Sequence, residues 1–172
     1  MFIFVSGTSG SGKSSYAEKR LREFPERPKL YIATAKVYDS EMARRVETHK
    51  LRREGQGFIT IERSQNLGEL EIPEGSSVLI EALTTWLANE IFEGGNDSYK
   101  LYNDFQKLKT RAKNIILVSD YIFGDGIIYD DSTENYVRTL AELTIKFAAE
   151  ADEVIECFAG LIYNYQTVQK NE

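Results

Sequence analysis

Eight residues near the N-terminus, Gly7-Thr8-Ser9-Gly10-Ser11-Gly12-Lys13-Ser14, satisfy the spacing G-x-x-x-x-G-K-[S/T] without a mismatch. The chemistry of that spacing is phosphate binding. Glycines let the backbone bend around an anion, so that successive N–H groups point at its oxygens. Lys13 brings a mobile positive charge to the β- and γ-phosphates, and the Ser14 hydroxyl is placed to ligate Mg²⁺. A metal-bound triphosphate also needs a carboxylate, usually at the end of another buried strand. Glu81, directly after the apolar run Val78-Leu79-Ile80, is the first candidate; Asp39 and Asp120 are secondary ones for the same site or for a general base.

A second group of reactive types surrounds the single histidine. His49 stands in RRVETHKLRR (44–53) among five Lys and Arg residues. Met42, Val46, His49 and Arg53 fall on one stripe of a helix predicted over 38–54, with Arg45 and Arg52 close to it. Guanidinium neighbours disfavour protonation, and a neutral imidazole is a nucleophile. The same arginines would stabilise charge on an attacked phosphorus. Plain phosphate binding, or a solvated helix surface, accounts for these residues as well. Cys157 is the single cysteine, which excludes an intramolecular disulfide and a Cys-based zinc site. Its setting, VIECFAG, reads as a buried strand with an inert thiol.

Elements must hold these groups in place. Strand-length apolar runs recur at 2–6, 30–34, 58–62, 77–81, 114–119 and 153–158. Several are apolar on consecutive residues, as strands covered on both faces are. Helical patterns lie near 13–24, 38–54, 83–93, 97–113 and 132–150, with EGGNDS (93–98) as a turn between two of them. Strand and helix in alternation imply parallel strands joined by right-handed crossovers. The fold class expected is α/β: one three-layer, P-loop NTPase-like domain over residues 1–172 with a mostly parallel sheet.

Composition narrows the setting. A chain of 172 residues, 42% hydrophobic and 28% charged, is long enough to bury a proper core and is not of a disordered type. A net charge of −6 argues against bulk attraction to nucleic acid or anionic membrane. MFIFVSG is too short to span a bilayer and lacks the positive region of a signal peptide. No nucleic acid, no membrane span and a cytoplasmic location are therefore expected. The aromatic tail FAGLIYNYQTVQK (158–170) fits either a last strand or an oligomer contact.

Taken in order, several segments carry a resemblance. They are the phosphate loop, YIATA (31–35), DSEMARRVETHKLRR (39–53), FITIE (58–62), VLIEALTTWLANEIF (78–92) and EADEV (150–154). Together they resemble the bifunctional adenosylcobinamide kinase / adenosylcobinamide-phosphate guanylyltransferases of cobalamin synthesis, closely over the first 92 residues. The resemblance implies phosphorylation of the aminopropanol hydroxyl of adenosylcobinamide with ATP or GTP. GMP then passes from GTP through a histidine to that phosphate, giving adenosylcobinamide-GDP and pyrophosphate. It places the histidine at His49, while the phosphate-loop reading makes Lys13 catalytic as well and has Ser14 and Glu81 hold Mg²⁺. Nucleotide contacts fall on Gly7 through Ser14, on Thr34, Ala35 and Lys36, on Lys50, Leu51, Arg52 and Arg53, and on Glu62 and Glu81. A homotrimer is implied as well.

The C-terminal part departs from that pattern. The family reads V-S-N-E-V-G-x-G-I-V-P where this chain has VSDYIFGDGIIYDD (118–131), and the arginine-rich helix expected next is ENYVRTLAELTIKFAAE (134–150), with Arg138 alone. GDGIIYDD reads as a turn, not a metal loop. This departure motivates one alternative, a divergent kinase or nucleotidyltransferase with a changed acceptor. A second, a nucleotide-binding regulator that transfers nothing, is opposed by the retained Lys13, Ser14, Glu81 and His49.

Overall fold

The computed structural model describes residues 1–36, 44, 55–123, 126–127 and 129–165. A seven-stranded sheet runs through them in the order β3-β2-β4-β5-β1-β6-β7. The strands are β1 (Phe2–Gly7), β2 (Lys29–Ala33), β3 (Ile59–Glu62), β4 (Ser77–Glu81), β5 (Asn114–Asp120), β6 (Glu153–Phe158) and β7 (Leu161–Asn164). All neighbouring pairs are parallel except β6 and β7. The fold is thus α/β with a mostly parallel sheet, as the alternating pattern implies.

Alternation along the strands divides the core in two. Phe2, Phe4, Leu30, Ile32, Val78, Ile80, Ile115 and Leu117 face one side, where they pack with Trp86, Leu101, Phe105 and Phe147. Ile3, Val5, Tyr31, Leu79, Ile116, Val118, Ile155 and Cys157 face the other, with Ala17 and Leu21. Helix α1 (Lys13–Glu23) covers the second side. The first is covered by α2 (Leu83–Ala88), α3 (Ser98–Arg111) and α4 (Asp131–Glu150). Burial on both faces is why the central strands are apolar at consecutive positions.

The element boundaries follow local chemistry. Asp97 caps α3 by accepting from the Lys100 amide at 2.9 Å, and the turn expected at 93–98 lies just before it. The helical pattern over 83–93 is α2 followed by a π-helical turn, Asn89–Glu93. Asp130, at the acidic end of GDGIIYDD, caps α4 through the Ser132 and Thr133 amides. Of the tail, for which the sequence allows two accounts, Leu161–Asn164 form strand β7. Ala159 (φ 50°) and Gly160 (φ 80°) make the two-residue turn that folds it back on β6. Of the helix predicted over 38–54, only Arg44 is among the described residues, and it is helical and exposed. No described helix is long and apolar enough to cross a membrane.

Candidate active site

The phosphate loop joins the carboxyl end of β1 to the start of α1, in the middle of the sheet. Gly7 pairs with Asp120 of β5 on one side and Cys157 of β6 on the other. A Cβ at Gly7 would lie 2.5 Å from the Cys157 carbonyl oxygen and 2.5 Å from Ser11 Oγ, so no side chain fits there. Gly12 sits at φ 95°, a conformation L side chains rarely adopt, and leads directly into α1. Thr8, Ser9 and Gly10 are exposed at the tip, while Ser11 and Lys13 are buried. Cys157 is buried in the core side, and burial pushes its thiol up, in line with an inert role.

Two carboxylates meet the loop from neighbouring strand ends. Glu81, at the end of β4, accepts from the Ser14 hydroxyl on Oε1 and from the Tyr31 hydroxyl on Oε2 at 2.6 Å. Asp120, at the end of β5, forms an ion pair with Lys13 Nζ at 2.7 Å and accepts from the Thr84 hydroxyl at 2.7 Å. Lys13 also donates to the Thr8 carbonyl at 3.2 Å. Ser14 and Glu81 therefore present hard oxygen donors side by side at the mouth of the loop. Among the described residues no cluster of three or more His, Cys, Asp or Glu could hold a metal. A small oxygen set of this kind suits Mg²⁺, which usually takes one or two carboxylates and completes its shell with water and phosphate.

Thr34 links β2 to the turn after β4. It is fully buried, and its amide donates to the Glu81 carbonyl at 2.9 Å. Its hydroxyl lies 2.7 Å from the Ala82 amide, 2.9 Å from the Ala82 carbonyl and 2.5 Å from the Thr85 hydroxyl. Its carbonyl accepts from Asn89 Nδ2 at 2.8 Å. The Glu81–Ala82 peptide in this turn is cis. Thr34 thus holds the backbone that carries Glu81. Ala35 and Lys36 follow half-buried, and Lys36 pairs with Glu93. Glu62 ends β3 opposite Ala33, which itself stands opposite Glu81, so Glu62 lies one strand further out on the same edge.

The fold brings together the phosphate loop, Glu81, Thr34 and Asp120 at the carboxyl edge of the sheet, where ligands bind in open α/β sheets. His49, Lys50, Leu51, Arg52, Arg53 and Asp39 lie outside the described residues. Three supporting side chains escape a reading of spacing alone: Tyr31, Thr84 and Tyr136. The Tyr136 hydroxyl donates to the Thr84 carbonyl at 3.0 Å. Burial first, and the nearby Asp120 charge second, push its phenol up to about 12, so it stays a donor at neutral pH. A threonine just past the turn that follows a carboxylate-ended strand is a weak signal, and nothing in the sequence pairs it with residue 120.

Comparison with known proteins adds an independent line. Residues 3–165 match the family described as "Cobinamide kinase / cobinamide phosphate guanyltransferase". That span takes in the divergent 118–150 stretch. The bifunctional adenosylcobalamin biosynthesis protein CobU of Escherichia coli K12 is 31% identical, over 94% of this chain and 97% of its own. Its counterpart in Salmonella typhimurium LT2 is 28% identical over the same shares. The bifunctional adenosylcobalamin biosynthesis protein CobP of Pseudomonas aeruginosa is 31% identical over 86% of this chain and 80% of its own. Among solved structures, the flagellar accessory protein FlaH of Methanocaldococcus jannaschii shares the fold at a TM-score of 0.50. It is 14% identical, over 95% of this chain and 75% of that one.

Proposed function

Because the chain belongs to the cobinamide kinase / cobinamide phosphate guanyltransferase family, we propose that it carries out both reactions of that name on adenosylcobinamide. In the first, the acceptor hydroxyl oxygen attacks the γ-phosphorus of ATP or GTP, and the nucleoside diphosphate leaves. In the second, a nitrogen of His49 attacks the α-phosphorus of GTP and pyrophosphate leaves. A phosphate oxygen of adenosylcobinamide phosphate then attacks the histidine-bound GMP, giving adenosylcobinamide-GDP and free imidazole. Two in-line displacements keep the nucleotide activated between donor and acceptor.

The observation that carries this reading is the family match over residues 3–165, joined to a phosphate loop whose Ser14 and Glu81 converge. Lys13 and the loop amides would hold the β- and γ-phosphates, and Thr34 and Tyr31 would keep Glu81 in position. Mg²⁺, held by Ser14 and Glu81, would offset the charge of the phosphates and of the leaving group. The role of His49 and of Lys50 to Arg53 is supported by their spacing and by the resemblance of that segment.

The test uses α-labelled GTP. The native chain should retain acid-labile, base-stable label after denaturation, and His49→Ala should retain none. Equal labelling of the two proteins would remove the guanylyl-histidine. Unlabelled adenosylcobinamide with γ-labelled ATP or GTP reads the kinase step separately, and failure there alone would point to a changed acceptor.

A further inference from the structure

Among the described residues at the carboxyl edge of the sheet, Asp120 is an acid that the chemistry above leaves without a task. Glu81 is engaged on both oxygens, by Ser14 and by Tyr31. Asp120 is engaged differently: Oδ2 takes the Thr84 hydroxyl, and Oδ1 faces Lys13. Lys13 is the group that the phosphate loop directs at the β- and γ-phosphates, so an incoming triphosphate competes with Asp120 for the same ammonium. With that partner drawn away, Oδ1 would be left without its cation beside the lysine that holds the β- and γ-phosphates.

The surroundings suit such a release. The Asp120 side chain is 33% exposed against 10% for Lys13, so a molecule arriving from solvent can reach the carboxylate. Its position does not depend on the ion pair. The next residue, Tyr121, donates its amide to the Gly7 carbonyl at 2.9 Å, which ties the end of β5 to the start of the loop. Thr84 holds Oδ2 from the other side, and the Tyr136 hydroxyl holds Thr84 through its carbonyl. Tyr136 is braced in turn by Phe92, with ring centroids 5.8 Å apart.

We propose that Asp120 is the base of the phosphorylation step, masked by Lys13 until a triphosphate binds. The inference rests on the kinase reading above. As the acceptor hydroxyl oxygen bonds to the γ-phosphorus and the bond to the leaving nucleoside diphosphate breaks, the hydroxyl proton passes to Asp120 Oδ1 and then to water. The same arrangement makes Asp120 a competitor of the nucleotide for Lys13, so its charge lowers nucleotide affinity.

Asp120→Asn in the full chain separates these effects. With adenosylcobinamide, Mg²⁺ and γ-labelled ATP, kcat should fall by about 10²–10⁴-fold, the range for loss of a general base. A fluorescent ATP analogue, titrated without acceptor, should bind at least as tightly as to the parent, since Lys13 has lost its competitor. Asp120→Glu, which keeps a carboxylate, should recover part of kcat; this also covers a failure of the amide variant to fold. A kcat for Asp120→Asn within about threefold of the parent overturns the inference. Loss of nucleotide binding together with turnover in both variants overturns it too, because the carboxylate would then be part of the binding site. A parent chain that makes no labelled product overturns the kinase reading and this inference with it.

Discussion

Tyr31 shows how much of the site's chemistry sits one residue away from the reacting groups. Its ring belongs to the core between α1 and the sheet, and its hydroxyl emerges at Glu81 Oε2. With Ser14 on the other oxygen, the carboxylate has a single orientation toward the phosphate loop. Tyr31→Phe removes one hydroxyl and little volume, so the core should tolerate it. Glu81 would then be held at Oε1 alone, by Ser14. For the Mg²⁺ site proposed at Ser14 and Glu81, the Mg²⁺ concentration for half-maximal nucleotide binding should rise by about 10-fold or more, as is typical when a group behind a metal ligand is lost. A titration of Mg²⁺ against fluorescent nucleotide reads this, and an unchanged midpoint would mean that Ser14 alone orients Glu81.

At the scale of elements, α4 begins where the chain departs most from the family pattern, and its start is set by one carboxylate. Asp130 is fully exposed, yet the Ser132 hydroxyl, then the Thr133 amide and hydroxyl, pull its carboxyl down to about 2 from an ordinary 3.8. A lowered folded value means that the ionised cap favours the fold. That contribution is complete above the ordinary value and is lost as pH falls through about 2. Amide exchange at Ser132 and Thr133 should therefore hold steady from neutral pH to about 4, after correction for intrinsic rates, and lose protection below that. Asp130→Ala should reduce protection at the same amides about fivefold at neutral pH, in keeping with the loss of an N-cap. Protection that ignores both changes would show that the first turn is held by something other than its cap.

For the whole molecule, the segment after β3 is fastened to the helical layer by a buried acid. Glu90 has no exposed surface. It accepts from the Asn66 amide at 2.7 Å, Trp86 Nε1 at 3.1 Å, Asn96 Nδ2 at 2.7 Å and Lys100 Nζ at 3.5 Å. Lys100 also reaches Asp104 at 2.7 Å, and burial, which lowers its affinity for a proton, is outweighed by these two acids. Nearby, a Cβ at Gly68 would come within 2.8 Å of the Asp104 Cα, so the turn at 67–69 lies directly on α3. Glu90→Ala would strand several buried donors at once and should cost about 3–5 kcal/mol in urea unfolding. Glu90→Gln keeps an acceptor oxygen and should cost distinctly less. Equal losses for the two would assign the effect to packing.

How far these features can be read in advance depends on the range of the forces behind them. The phosphate loop is contiguous, and its glycines answer to backbone geometry at neighbouring positions, so eight letters suffice. The strands β1, β2, β4 and β5 are legible for a similar reason, since burial on both faces demands apolar residues in succession. Glu81 is visible as the polar end of such a run. Asp120 looks no different in sequence, and only the order β4-β5-β1 sets it on Lys13 while Glu81 goes to Ser14. Strand β7 is equally obscure, because its turn uses Ala159 in a left-handed conformation that alanine seldom adopts. Sequence by itself determined the phosphate-loop motif and the α/β class, which rest on local spacing and periodicity, and it carries the segments by which the chain matches its family. Tertiary structure alone decided which carboxylate meets which loop residue, and which acid is buried. Those outcomes depend on strand order and register, which bring distant segments within hydrogen-bonding range.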